Sequence, residues 1–269
     1  MIDLKGHAAI ITGSTLGIGR AIAEAFAAAG AKVVLHGLKS GAEADAAIAA
    51  CRTHGGKVHF LAADLTESPE QAIPALASNI LSLCGKPTIL VNNAGQHFDL
   101  AFDQMTAERF ERTLRLNVTS PYFLTQWFSR FWIEKKIAGR VLFIGSINGR
   151  LAEEDSTAYD TSKGAIEMMV KSLAVNLAPK GIRVNGLAPG LIKTPQTKWL
   201  DDRPADQDWI RHHTPDGQIP TADSCGPAAV FLCSDAAAHI HGQMLLVDGG
   251  MSALQQPSRG DYVRKPKES

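Results

Sequence analysis

Residues 7–19 read His-Ala-Ala-Ile-Ile-Thr-Gly-Ser-Thr-Leu-Gly-Ile-Gly, a short apolar run that passes through glycines at 13, 17 and 19 straight into a helical pattern. A continuous apolar run, rather than an alternating one, predicts a strand covered on both faces, as in parallel sheets flanked by helices. Gly13 permits a tight turn, Gly17 lets the backbone approach a ligand, and Gly19 lets helix and strand pack closely. The free N–H groups and dipole of the new helix favour a pyrophosphate. The spacing is GxxxGxG, not the GxGxxG of the commoner dinucleotide fingerprint, and a glycine turn taken alone also fits a purely structural turn.

Outward from this turn, short apolar runs alternate with helical patterns to residue 250. Strands are predicted at 7–12, 32–36, 57–61, 88–91, 140–144, 182–187 and 243–247. Ser40-Gly-Ala-Glu43 fits a capping box, and Ser68-Pro-Glu-Gln71 offers an N-cap serine, a proline at the first helical position and glutamine at the third. Longer helices are expected at about 106–136 and 158–178. Strict alternation predicts a doubly wound α/β fold, one seven-stranded parallel sheet with helices on both faces. No linker divides the chain, so residues 1–250 are expected to form one domain. An insertion at 195–221 is expected to act as a lid, and 251–269 to be an extension ending in a polar tail.

Composition removes other classes. The 269 residues carry 27 Lys+Arg and 27 Asp+Glu, 45% are hydrophobic, and the pI is near 7.1, which argues against a nucleic-acid or anionic-membrane surface. Arg259, Arg264, Lys265 and Lys267 against Asp261 and Glu268 make the extension net positive and leave the body slightly acidic. Asp3 and Lys5 interrupt any leader-like run, no stretch reaches 18 apolar residues, and Cys51, Cys84, Cys225 and Cys233 form no CxxC pair. The expectation is a cytoplasmic protein with reduced thiols and no membrane contact.

After the second strand, residues 35–40 read Leu-His-Gly-Leu-Lys-Ser, without the carboxylate that would hydrogen-bond the ribose 2′-OH of NAD. Lys39, and His36 with it, could meet a 2′-phosphate, so NADP(H) is modestly favoured over NAD(H); a solvated loop lysine is the alternative. Ser146 follows the apolar run 141–144 directly, at a strand's C-terminal end. Tyr159-Asp-Thr-Ser-Lys163 places phenol and ammonium on one helical face. Asn92-Asn93-Ala94-Gly95 follows the fourth strand.

In this order, these motifs resemble the short-chain dehydrogenase/reductase family over about residues 5–250, together with Asp64-Leu65, Asn117, Pro189-Gly190 with Thr194, and Val247-Asp-Gly-Gly250. The resemblance implies an NAD(P)(H)-dependent oxidoreductase interconverting a secondary alcohol and a ketone. It implies a catalytic tetrad of Asn117, Ser146, Tyr159 and Lys163. It also implies a dinucleotide held by Gly13, Ser14, Thr15, Leu16, Gly17, Ile18 and Gly19. Asp64 and Leu65 would lie by the adenine, Asn93, Ala94 and Gly95 would support the cofactor, and Pro189, Gly190, Ile192 and Thr194 would hold the carboxamide. Tyr159 and Lys163 would also touch the cofactor, and Asn117 would position a water relaying protons to Lys163. A homo-oligomer, tetramer or dimer, goes with the family. One departure stands out: the return from the lid reads Pro215-Asp-Gly-Gln-Ile-Pro220, without the family's frequent Gly-Arg.

Lowering a phenol from pKa 10 to about 7 takes ~4 kcal/mol. A lysine cation ~5 Å away supplies ~3 kcal/mol at an effective dielectric of 20, and the positive nicotinamide of the oxidised cofactor could add the remainder, so Tyr159 could serve as general base or acid. Ser146, Asn148, His97, Glu154 and Trp199 are expected to meet a small-molecule substrate, with Gln96, Phe98, Glu153, Trp209, His212 and His213 nearby. Their polarity suggests a sugar, polyol or hydroxy acid. No metal is expected, because adjacent imidazoles splay apart and no HExxH spacing exists. A 3-oxoacyl thioester reductase with a basic docking patch at Lys135, Lys136, Arg140 and Lys180, and a catalytically silent cofactor-binding scaffold or redox sensor, are the other readings.

Overall fold

The computed structural model describes residues 2–255; the polar tail from 256 onward lies outside the described residues. Seven strands, β1 (Ala8–Ile11), β2 (Lys32–Gly37), β3 (Val58–Ala62), β4 (Ile89–Asn92), β5 (Arg140–Ile144), β6 (Arg183–Pro189) and β7 (Met244–Val247), form one sheet of order β3-β2-β1-β4-β5-β6-β7. Every pairing is parallel. The helices between them are α1 (Gly17–Ala28), α2 (Ala42–Arg52), α3 (Pro69–Cys84), α4 (Ala107–Leu114), α5 (Ser120–Lys135), α6 (Thr157–Leu177), α7 (Pro204–His213) and α8 (Cys225–Cys233).

Successive strand residues point to opposite faces, and both faces are dry. Ile11, Val33 and Leu35 join α1 and α8 in one core, while Ile10 and Val34 join α3, α5 and α6 in the other. This explains why the strands read as unbroken apolar runs. Strand order reverses between β1 and β4, so the loops after these two strands diverge and leave a crevice at the sheet's C-terminal rim. At the opposite rim Arg183 donates to the carbonyls of Leu232, Ser234 and Ala237, and Arg140 donates to Cys233 O and pairs with Asp235. Two guanidiniums thus satisfy the carbonyl end of α8, where the helix dipole favours cations. Arg140 is buried and takes no part in an exposed basic patch.

Several sequence expectations need correction at this level. The helix after β2 starts at Ala42 with Gly41 as N-cap at φ +142°, so Ser40 caps nothing. Ser68 is the N-cap of α3 and Pro69 its first residue, but the serine hydroxyl donates to Glu70 instead of closing a box. The long helix expected at 106–136 is α4 and α5 joined by a π turn, Arg115–Thr119. The insertion at 195–221 holds a 3-10 segment, Pro195–Asp202, followed by α7, and a bridge between Lys193 and Thr221 ties its ends together.

Candidate active site

The glycine turn is braced from three sides. Asn93 Nδ2 donates to Thr12 O and Gly13 O, both at 2.9 Å, and the N–H groups of Asn93 and Ala94 donate to Thr12 Oγ1 at 3.0 Å. The loop after β4 therefore clasps the turn after β1. Gly13 has φ +61°, and a Cβ on Gly19 would lie 2.3 Å from both Asn93 Nδ2 and Gly13 O. Ser14 Oγ donates to Ile11 O and accepts from His36 N.

The N-terminus of α1 has no capping side chain and no acidic residue in its first turn. It opens between the turn and the loop after β6, where a Cβ on Gly17 would touch Thr194 at 3.6 Å. Uncapped N–H groups beside backbone that tolerates no side chains fit a dinucleotide pyrophosphate. Gly190 is pressed against Asp248, Ile192 is buried, and Thr194 N-caps the 3-10 segment reciprocally with Thr197. Asp64 Oδ1 accepts from Thr66 N and Oγ1, and Leu65 is buried. Thr15, Leu16 and Ile18 complete the turn at partly exposed positions.

His36 is not the phosphate cation anticipated from its position. It is 3% exposed; Nδ1 accepts from Gly13 N at 3.2 Å and Nε2 contacts Ala63 O at 3.2 Å, so the ring donates there and is neutral. Burial pushes its pKa down to about 4, against the weaker upward pull of the Ala63 bond and Asp64. A folded-state value below the unfolded 6.5 means that this side chain's stability is fully present above about pH 6.5 and lost as pH falls toward 4. In His36→Asn, that part of the pH dependence of Tm disappears; an unchanged Tm–pH slope below pH 6.5 contradicts the assignment. In His36→Leu, the Gly13 N–H loses its acceptor at a cost of about 1–3 kcal/mol, read as a lower Tm at neutral pH. Lys39, by contrast, is exposed at the end of β2 beside Leu38, which is 66% exposed.

The second cluster lies at the C-terminal end of β5. Lys163 Nζ donates to Ile144 O at 2.9 Å and stands 5.3 Å from the Tyr159 ring centroid, as the i,i+4 spacing on α6 requires. Ser146 Oγ donates to Asn148 Oδ1, Asn148 Nδ2 donates to Asp160 Oδ1 at 2.8 Å, and the other oxygen of Asp160 accepts from Glu153 N at 3.0 Å. Asp160, next to the tyrosine, thus pins both the serine's neighbour and the loop before α6. Sequence reading missed it because this role depends on residues 7 and 12 positions away.

Asn117 lies in the π turn, a distortion frequent at functional sites. Its Oδ1 accepts from Gln96 N, and its Nδ2 donates to Gln96 O and Ser162 Oγ. Three of the amide's hydrogen-bonding positions are thereby committed to holding the β4 loop against α6.

Burial, more than the lysine charge, governs the phenol's electrostatics. The Tyr159 ring is partly exposed, yet burial around its hydroxyl pushes the phenol up to about 12; a hydrogen bond with Ser146 pulls it back and Glu153 and Asp160 push it further. Burial brings Lys163 down to about 8, still cationic at pH 7. Desolvation by burial is the largest cause of the shift at Tyr159 and the cause of the shift at Lys163.

Of the expected substrate residues, His97 sits edge-on to Tyr159 with ring centroids 4.6 Å apart. Asn148 is buried beside Ser146, and Glu154 is exposed on the loop. Trp199 and Trp209 are 43% and 58% exposed on the insertion; Trp199 stacks under Arg203, and Trp209 stacks on His213. Phe98 is exposed at the rim, and no ring contact joins it, the two tryptophans, His212 or His213 to Tyr159.

A family model described as Enoyl-(Acyl carrier protein) reductase matches residues 13–252. L-rhamnose 1-dehydrogenase (NADP(+)) of Thermoplasma acidophilum is 36% identical, over 93% of this chain and 98% of that protein. 7alpha-hydroxysteroid dehydrogenase of Escherichia coli K12 is 38% identical, over 93% and 95%. The crystal structure of a gluconate 5-dehydrogenase from Burkholderia cenocepacia in complex with NADP and tartrate superposes with a TM-score of 0.87 at 31% identity, over 94% of this chain and 98% of that one.

Proposed function

The chain belongs to the short-chain dehydrogenase/reductase family, and from that premise we propose that it oxidises a secondary alcohol, or reduces the matching ketone, on a small polyhydroxylated molecule: a sugar, polyol or hydroxy acid. It is an NAD(P)-dependent oxidoreductase. One observation carries the mechanistic reading: phenol, ammonium and serine hydroxyl converge in one partly buried site at the sheet's C-terminal rim, beside a glycine turn built for a pyrophosphate.

When bound, the dinucleotide supplies or takes up a hydride. Gly13 to Gly19, Asp64, Leu65, Asn93 to Gly95 and the loop from Pro189 to Thr194 would hold it. Tyr159 takes the carbinol proton in oxidation and returns it in reduction. Ser146 turns from Asn148 to the substrate oxygen as charge develops there, and Asn148 keeps it within reach. Lys163 holds the cationic charge that lowers the phenol, and Asn117 keeps the β4 loop in register with α6. His97, Asn148 and Glu154 face the substrate, and Trp199 lies on the lid. Residues 1–250 are the catalytic unit in this reading.

NADP(H) is preferred, because the end of β2 carries exposed Lys39 and no carboxylate. Lys39→Ala is expected to weaken NADP about 5-fold, the worth of ~1 kcal/mol at an exposed site, and NAD less than 2-fold. Equal losses, measured as KM for each dinucleotide, dismiss Lys39 as a phosphate ligand.

The 3-oxoacyl thioester reading is less favoured. Lys135, Lys136 and Lys180 precede β5 and β6, at the rim opposite Ser146, a strand length of about 17 Å away. A silent scaffold has no use for a filled tetrad. Homo-oligomerisation would cover Tyr122 and Phe123 of α5, Met168 and Val175 of α6 and Leu245 of β7, all exposed. No helix among the described residues is long and apolar enough to cross a membrane. Absorbance at 340 nm with NADP and NAD against sugars, polyols, hydroxy acids and a short 3-oxoacyl thioester tests the reading: turnover of a polyhydroxylated alcohol is expected. Turnover of the thioester alone, or none despite tight dinucleotide binding, overturns it.

A further inference from the structure

The network around His97 fixes where its ring proton sits, and with it what the ring can recognise. Glu153 carries a carboxylate that only accepts, and Ser156 Oγ donates to its Oε2 at 3.2 Å. The serine has one proton to give, so at its 2.9 Å contact with His97 Nε2 the serine oxygen accepts and Nε2 carries the hydrogen. Asp99 Oδ1, 3.3 Å from the same nitrogen, demands the same assignment. Ser156 is 1% exposed, so its hydroxyl answers to these protein partners rather than to bulk water.

With the hydrogen on Nε2, Nδ1 is the ring's acceptor position, and among the described residues nothing donates to it. It is not a sealed group either: the His97 side chain is 31% exposed, and the ring lies edge-on against Tyr159, 4.6 Å between centroids. The side chain beside the proposed proton-transfer group thus offers one acceptor and no donor toward an incoming molecule.

We propose that His97 is a specificity-determining residue that accepts a hydrogen bond from a hydroxyl on the carbon next to the reacting one, so that the enzyme selects vicinal diols and, in reverse, α-hydroxy ketones. This rests on the oxidoreductase reading above and narrows it. A simple secondary alcohol has no such donor, and a 3-oxoacyl thioester presents only acceptors around its reacting carbonyl. A sugar or polyol presents a hydroxyl on the neighbouring carbon. Because the ring is partly open to water, the discrimination is that of one neutral hydrogen bond, about 10-fold, and not the far larger ratio of a sealed polar site.

Matched pairs test it: 2,3-butanediol against 2-butanol, 1,2-cyclohexanediol against cyclohexanol, and a hexose against its deoxy analogue, with NADP and kcat/KM read at 340 nm. The wild-type protein is expected to favour the diol member about 10-fold. His97→Leu brings that ratio near 1, and His97→Asn, whose Oδ1 takes the place of Nδ1, keeps most of it. NADPH fluorescence on binding reports that each variant is folded. A wild-type ratio near 1, or an unchanged ratio in His97→Leu, overturns the inference while leaving the oxidoreductase reading intact. No turnover of any member overturns both. The ring's 15N NMR signals give a reading that needs no substrate: a protonated Nε2 with a bare Nδ1 is expected, and the opposite tautomer overturns the inference alone.

Discussion

Tyr159→Phe is expected to lower kcat by about 10³–10⁴-fold while the dinucleotide dissociation constant stays within about 2-fold. The phenylalanine keeps the ring and its contact with His97, and loses only the oxygen that exchanges a proton with the substrate. Positioned general acid–base groups supply about 10²–10⁴-fold; the hydrogen-bonded chain from Ser146 to Asp160 holds no second phenol, and the neighbouring His97 ring has its Nε2 engaged by Ser156 and Asp99. Stopped-flow and steady-state rates at 340 nm, with NADPH fluorescence for binding, measure both quantities. Activity within 10-fold of wild type refutes the proton-transfer role.

Lys163→Met is expected to cost about 10²-fold or more in kcat/KM for alcohol oxidation and to move the pH profile upward. The cation stands 5.3 Å from the centroid of the phenol ring, and a unit charge at about 5 Å is worth ~3 kcal/mol, or about two pKa units, at an effective dielectric of 20. Burial already holds the Tyr159 phenol up at about 12, with Glu153 and Asp160 pushing the same way, so nothing else on α6 or the loop before it offsets the loss. The sign follows directly: the base must be deprotonated to accept the carbinol proton, so oxidation climbs with pH, and raising the phenol's pKa moves that limb to higher pH. A profile unmoved in Lys163→Met shows that the lysine acts on something other than the phenol.

The strands were legible to within a residue or two because a parallel sheet dry on both faces leaves continuous apolar runs. The glycine turn, the tyrosine–lysine spacing and the serine after β5 were legible because each lies within a few residues of an element boundary. Through-space relations were not. The π turn at Arg115–Thr119 keeps the apolar rhythm of a helix, so only backbone geometry reveals it. His36 looks like a cation until its burial and two backbone partners make it a neutral brace. Asp160 and Ser156 carry no local signature; their partners are Asn148, Glu153 and His97. Burial of Tyr159 and Lys163, which the i,i+4 spacing does not reveal, sets the direction of each shift in the protein.

Hydride transfer itself is most directly tested with an alcohol substrate carrying deuterium on its carbinol carbon, followed by mass spectrometry of the reduced dinucleotide. One deuterium per turnover on the nicotinamide ring is the expected result. Reduced dinucleotide without deuterium, or ketone formed with no reduced dinucleotide, contradicts the proposed chemistry.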